Sequence, residues 1–151
     1  MGLAMVKPSK RTAATGEGLV DALAQAAFVT MAVLNKLGAE NDLSLTQLRV
    51  CGILRDRRLS MAGLANYLGL GKSTMTGLVD RAETRGLMAR APNEDDGRGI
   101  DVFLTKEGLK LADRLEAQFQ AALAPLTDRL DVTEQRRLQE LLERMLDAPE
   151  E

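Results

Sequence analysis

Ser60-Met61-Ala62-Gly63-Leu64-Ala65-Asn66-Tyr67-Leu68-Gly69-Leu70-Gly71-Lys72-Ser73-Thr74-Met75-Thr76-Gly77-Leu78-Val79-Asp80-Arg81-Ala82-Glu83-Thr84-Arg85-Gly86 holds two short amphipathic segments joined by a turn. In the first segment Met61, Leu64, Ala65 and Leu68 recur at helical spacing, so one apolar stripe can face a core. Gly69-Leu70-Gly71 breaks that helix, since a tight turn needs a residue that tolerates positive φ, and Leu70 can anchor the turn inward. In the second segment Met75, Leu78, Val79 and Ala82 form the inward stripe. Ser73, Thr74, Thr76, Gly77 and Arg81 then project outward, and Gly86 is placed to end the helix as a left-handed cap.

Toward the C-terminus, Leu87-Met88-Ala89-Arg90-Ala91 reads as a strand and Ile100-Asp101-Val102-Phe103-Leu104 as its return. Pro92 and the run Asn93-Glu94-Asp95-Asp96-Gly97-Arg98-Gly99 make the turn between them. A helix-turn-helix followed by a charged hairpin is the plan of a winged helix. The expected fold is mainly α with a small β-hairpin wing. Double-stranded DNA is the leading partner, because short outward side chains let the second helix sit close to a major groove. Its N-terminal amides, beside Lys72, also attract phosphate. Arg98, at the hairpin tip, suits a narrow minor groove or a backbone phosphate. Asp95 and Asp96 would repel phosphate, so at least one is expected to pair with an arginine. The structural alternative for Arg81 is an ion pair with Glu94 or Asp95.

Helices flank this region. Leu19, Leu23, Ala26, Ala27, Thr30, Met31, Leu34 and Leu37 predict a first helix from about Glu17 to Leu37, ending near Gly38. Ser44-Leu45-Thr46-Gln47 is a capping box, with Leu43 able to staple onto Leu48. The helix it starts runs to about Arg57 and buries Leu48, Cys51 and Leu54. Thr105 caps a long helix with Leu109, Ala112, Leu115, Phe119, Ala122 and Leu123 on one stripe, until Pro125. Asp131-Val132-Thr133-Glu134 starts the last, with Leu138, Leu141, Leu142, Met145 and Leu146 on one side. These broad apolar faces lie outside a small winged-helix core, so a homodimer with interdigitating terminal helices is expected. Four parts follow: a basic N-terminal arm at 1–16, a dimerisation helix at 17–43, the winged helix-turn-helix at 44–104, and C-terminal dimerisation helices at 105–151.

The 151 residues carry a net charge of −2, which by itself does not suggest nucleic acid. From Ser44 to Ile100, however, nine basic residues face six acidic ones, a net +3, and the remainder carries −5. Positive charge thus lies in the segment proposed to meet DNA. No run approaches the roughly 20 consecutive apolar residues of a membrane span, and the first residues lack a secretory signal's apolar core. A cytoplasmic protein without membrane contact is expected. The chain has no histidine, so the usual zinc and copper sites are disfavoured, and no metal or cofactor is expected. An enzyme is not expected either. Gly69-Leu70-Gly71-Lys72-Ser73 fails as a phosphate loop because Asn66 stands where its first glycine belongs. The single thiol, Cys51, lies on an apolar stripe and reads as a core hydrophobe.

The stretch from Ser44 to Leu111 resembles the MarR-type regulators. The resemblance rests on Leu45-Thr46-Gln47-Leu48-Arg49-Val50, Leu64-Ala65-Asn66-Tyr67-Leu68-Gly69, Ser73 to Arg81, Arg85-Gly86-Leu87, and Asp96-Gly97-Arg98 ahead of Leu104-Thr105-Lys106-Glu107-Gly108. It implies a homodimer that binds a pseudo-palindromic operator, usually represses, and releases DNA when a small molecule or an oxidant acts. Carried over by position, Ser73, Thr74, Thr76 and Arg81 would meet DNA from the recognition helix and Arg98 from the wing, with Asp96 orienting the wing. Gly77 and Gly97 depart from the longer or basic residues frequent at those positions. A small hydrophobic or aromatic effector would lie near Phe28 and Met31. The competing reading is a protein-interaction winged helix without sequence-specific DNA binding.

Overall fold

The structure, a computed structural model, describes residues 16–147. The expected basic arm therefore lies almost wholly outside the described residues. Six helices and three strands follow one another as α1 (Gly16–Glu40), α2 (Leu45–Leu54), β1 (Leu59–Ser60), α3 (Met61–Leu68), α4 (Lys72–Thr84), β2 (Met88–Pro92), β3 (Ile100–Leu104), α5 (Lys106–Thr127) and α6 (Val132–Leu146). The chain divides into two compact units, one ending at Ala32 and one beginning at Val33.

In the first unit α1 exposes Leu19, Val20, Leu23, Phe28 and Met31. Its hydropathy averages 1.5 over an eighteen-residue window, so by length and composition α1 could cross a membrane. Asp21, Gln25 and Asn35 interrupt its apolar run, as the sequence reading has it, and one such helix near the N-terminus is weak evidence for a membrane span. The helix also runs past Gly38 to Glu40. Gly38 does not end it; a Cβ there would lie 2.5 Å from the carbonyl oxygen of Leu43, so the residue serves close packing.

The second unit is built on a core of Val50 and Leu54 from α2, Leu64 from α3, Met75 and Val79 from α4, and Val102 from β3. A smaller cluster of Leu43, Leu87, Leu111 and Leu115 takes Leu48 against it, which gives the staple at the start of α2 its packing. The Ser44–Gln47 capping box forms as read. So does the turn between α3 and α4, with Gly69 at φ 66. Gly86 likewise sits at φ 73 after α4.

Several boundaries differ from the sequence reading. α2 stops at Leu54, and Leu59–Ser60 form a strand that the sequence reading does not predict. The sheet is three-stranded and antiparallel in the order β1-β3-β2, with Leu59 opposite Val102 and Arg90 opposite Val102 on the other side. A two-residue strand has too little periodicity to be seen in sequence. In α5 the inward residues are Leu111, Ala112 and Leu115, whereas Leu109 is exposed. α5 also continues through Pro125 to Thr127, whose hydroxyl donates to the carbonyls of Leu123 and Ala124. Ala121, whose carbonyl loses its partner to the proline ring, is an exposed residue where water can replace it.

Candidate nucleic-acid interface

α4 begins without help from a side chain. Ser44, Ser60, Thr105 and Asp131 each accept a backbone N–H at the start of their helices, but the N-cap of α4 is Gly71 and makes no such bond. The first-turn amides of α4 are therefore left to solvent or to an anion. Lys72, Ser73 and Thr74 are exposed on that turn, and Thr76 and Gly77 are half-buried beyond it. Met75, Leu78, Val79 and Ala82 are all buried, as their spacing predicts.

Arg81 is exposed one turn further on. Its guanidinium lies back over Gly77, where a Cβ would stand 3.5 Å from Nη1. No ion pair with Glu94 or Asp95 forms among the described residues. The acids nearest Arg81 in sequence are occupied elsewhere: Arg90, on β2, pairs with Asp80 and, at 3.4 Å, with Glu83. Arg90 thus ties the outer half of α4 to the first strand of the wing, and its charge offsets two carboxylates that would repel phosphate. Sequence reading missed this role, although two acids three residues apart on one helix face call for a cation opposite.

The wing tip is held by its own polar groups. Asn93 Oδ1 accepts the backbone N–H of Asp95 at 2.9 Å and of Asp96 at 2.8 Å. Asp96 Oδ1 accepts the N–H of Arg98 at 3.1 Å. The N–H of Gly99 donates to the Asp96 carbonyl, and that of Asn93 to the Gly99 carbonyl, both at 2.9 Å. Asp96 therefore shapes the loop that carries Arg98. The expected pairing of Asp95 or Asp96 with an arginine is not found among the described residues; the Asp96 carboxylate takes the Arg98 amide instead. Within the hairpin, the acid paired with an arginine is instead Asp101, 3.4 Å from Arg58 Nε. Arg98 is exposed at the tip without an ion-pair partner among the described residues.

An open cleft of about 690 Å³ lies in the second unit, lined by Ala39, Asp42, Leu43, Gln47, Arg81 and Arg85 among others. Phe28 and Met31 do not line it; they are exposed residues of the first unit. Cys51 is buried, and loss of water pushes its thiol up to about 11 against the opposing charge of Arg85. Such a thiol is a poor nucleophile.

Residues 41–99 match the family model described as "MarR family". The winged-helix segment of the chain is thus similar to the MarR family. Among curated MarR-family relatives, the HTH-type transcriptional regulator PecS of Dickeya dadantii is 29% identical over 64% of this chain and 61% of its own length. The first curated relatives are matched over 44% to 63% of their length, so the chain's match spans about half to three fifths of them. Among solved structures, a point mutant of E. coli MarR complexed with operator DNA superposes with a TM-score of 0.66 at 24% identity, covering 85% of this chain and 94% of that one. NadR in complex with 4-hydroxyphenylacetate gives 0.73 at 23% identity, covering 94% and 99%. At these identities the two structures establish the shared MarR fold.

Proposed function

We propose that this chain is a sequence-specific DNA-binding transcriptional regulator, a cytoplasmic repressor that holds a pseudo-palindromic operator as a homodimer and lets go when a small effector binds. The observation that carries the reading is the combination of an uncapped, exposed α4 N-terminus with a wing whose tip is internally bonded and presents Arg98 without an ion-pair partner among the described residues. Lys72, Ser73, Thr74 and the α4 amides meet backbone phosphates, Thr76, Gly77 and Arg81 face the major groove, and Arg98 meets the minor groove or a phosphate. Asp96 orients the wing by bonding the Arg98 amide.

Dimerisation is supported by apolar side chains left uncovered in both terminal regions. Phe28 is 73% exposed in α1, Leu146 is 83% exposed in α6, and α6 buries none of its residues. A second copy would cover them and set two recognition helices one helical turn of DNA apart. Effector release is supported by the ligand in NadR's solved complex, and the repressor role by relatives named as repressors. Phe28 and Met31, uncovered in one chain, would then wall a pocket for a small aromatic molecule that the second chain completes.

Selection of bound sequences from a random duplex pool, with Arg98→Ala run in parallel, tests the reading. An enriched inverted repeat that weakens in the variant is the expected result. Binding that ignores sequence would favour the protein-interaction winged helix.

A further inference from the structure

Asp101 is the one buried carboxylate among the described residues, with its side chain 13% exposed. It stands on β3, opposite Ala91 of β2 and Ser60 of β1. One oxygen, Oδ2, lies 3.4 Å from Nε of Arg58, in the loop that leads into β1. The guanidinium of Arg58 also stacks over Phe103, 4.5 Å from the ring centroid, so it is fixed on two sides. The other oxygen, Oδ1, accepts a 2.8 Å hydrogen bond from Asn93 Nδ2. Asn93 is the residue whose own Oδ1 gathers the Asp95 and Asp96 amides, and Asp96 in turn bonds the Arg98 amide. A continuous polar chain therefore runs from Arg58 through Asp101, Asn93 and Asp96 to Arg98.

We infer that Arg58 and Asp101 are positioning residues that fix the wing tip and so set where Arg98 meets DNA. The inference rests on the proposed reading that the wing contacts duplex DNA. A hairpin loop bonded only to itself could still swing about its base, and neither flanking strand extends past Pro92 or before Ile100 to stop it. The Asn93–Asp101 bond joins the loop to the sheet, and the Arg58–Asp101 pair joins it to the loop ahead of β1. Asn93 also needs Asp101 for its orientation, because an amide has one oxygen and the loop amides require it. Removing the carboxylate frees that side chain to turn, and Arg98 then has to be ordered at the moment of binding, at a cost in affinity.

A double-mutant cycle on the full chain tests this, read by fluorescence anisotropy with a labelled mixed-sequence duplex of roughly 30 base pairs over a salt series. Arg98→Ala is expected to weaken binding about tenfold and to lower the salt slope by about 1. Asp101→Ala, or the milder Asp101→Asn, and Arg58→Ala should each weaken it roughly threefold with thermal melting kept within a few degrees. Asp101→Ala added to Arg98→Ala should cost nothing further, because Asp101 acts through Arg98. If the Asp101 and Arg58 variants bind like the native chain while Arg98→Ala is weak, the positioning role is wrong and the wing reading stands. Losses that multiply in the double variant also overturn the role. An Arg98→Ala variant that binds normally overturns both.

Discussion

Arg85, the residue that closes α4, donates to the carbonyl oxygen of Asp42 at 2.7 Å and to that of Asn41 at 3.0 Å. The turn between α1 and α2 is thereby bonded to the end of the helix that would read DNA. Asp42 holds φ 55, in the left-handed region that glycine enters freely. Arg85→Ala should destabilise the fold by about 1.5–3 kcal/mol, the range for a hydrogen bond that involves a charged group. Asp42→Gly keeps the carbonyl and removes the backbone strain, so urea denaturation should show it neutral or stabilised by up to about 1 kcal/mol. Equal losses in the two variants would mean that the Asp42 side chain, and not its carbonyl, matters.

Gly108 offers a prediction whose sign opposes helix propensity. Replacing glycine by alanine inside a helix ordinarily gains about 1 kcal/mol. Here a Cβ would fall 2.0 Å from the Leu87 carbonyl oxygen and 3.3 Å from Leu104 Cβ. That carbonyl also accepts the Thr105 N–H at 3.0 Å, so it cannot move aside without losing a bond at the start of α5. Gly108→Ala should therefore destabilise by roughly 2–3 kcal/mol, as overpacking does. Chemical denaturation that instead showed a gain would place α5 further from Leu87.

Where the fold was legible, local signals agreed with packing. Ser44, Gln47 and Leu43 announced α2, and the Met75, Leu78, Val79 and Ala82 stripe announced the buried face of α4. The errors fell where the deciding partner is distant in sequence. β1 exists because Leu59 and Ser60 pair with β3, more than forty residues later. Arg58 and Asp101 are similarly remote, and each alone resembles a solvated surface charge. Asp95 and Asp96 misled for the opposite reason: the Arg98 amide within the same loop takes the Asp96 carboxylate in place of a guanidinium. Thus the outward residues of α4 could be read from periodicity, while the polar chain behind the wing required the fold.

Dimerisation through α6 gives a separate test. Leu138 and Leu142 are one turn apart and are 46% and 37% exposed, so aspartate at both adds charge without emptying the core of a single chain. Sedimentation should show the native chain at twice 16.4 kDa and the Leu138→Asp, Leu142→Asp variant at 16.4 kDa, with helical circular dichroism unchanged. Operator binding should weaken by about a hundredfold or more, because two half-sites are no longer held together. A native chain that sediments as a monomer would remove the dimer from the proposal.

Cys51 supplies a pH dependence with a definite sign. Burial raises the folded thiol to about 11 from an ordinary value of 9.0, so above pH 9 the unfolded chain gives up this proton more readily than the folded one. The contribution is complete below about pH 9 and is lost as pH rises through 11, a loss of about 3 kcal/mol in all. Urea denaturation of the native chain and of Cys51→Ala, compared at mildly and strongly alkaline pH, isolates this effect because the other titrating groups are common to both. The native chain should lose about 2 kcal/mol more than the variant between about pH 8.5 and 10.5. Near neutral pH the same displacement leaves very little thiolate, so alkylation of the folded chain should be far slower than that of the denatured chain. Parallel stability curves, or rapid alkylation at pH 7, would show that water reaches Cys51 and would return a thiol-based release of DNA to consideration.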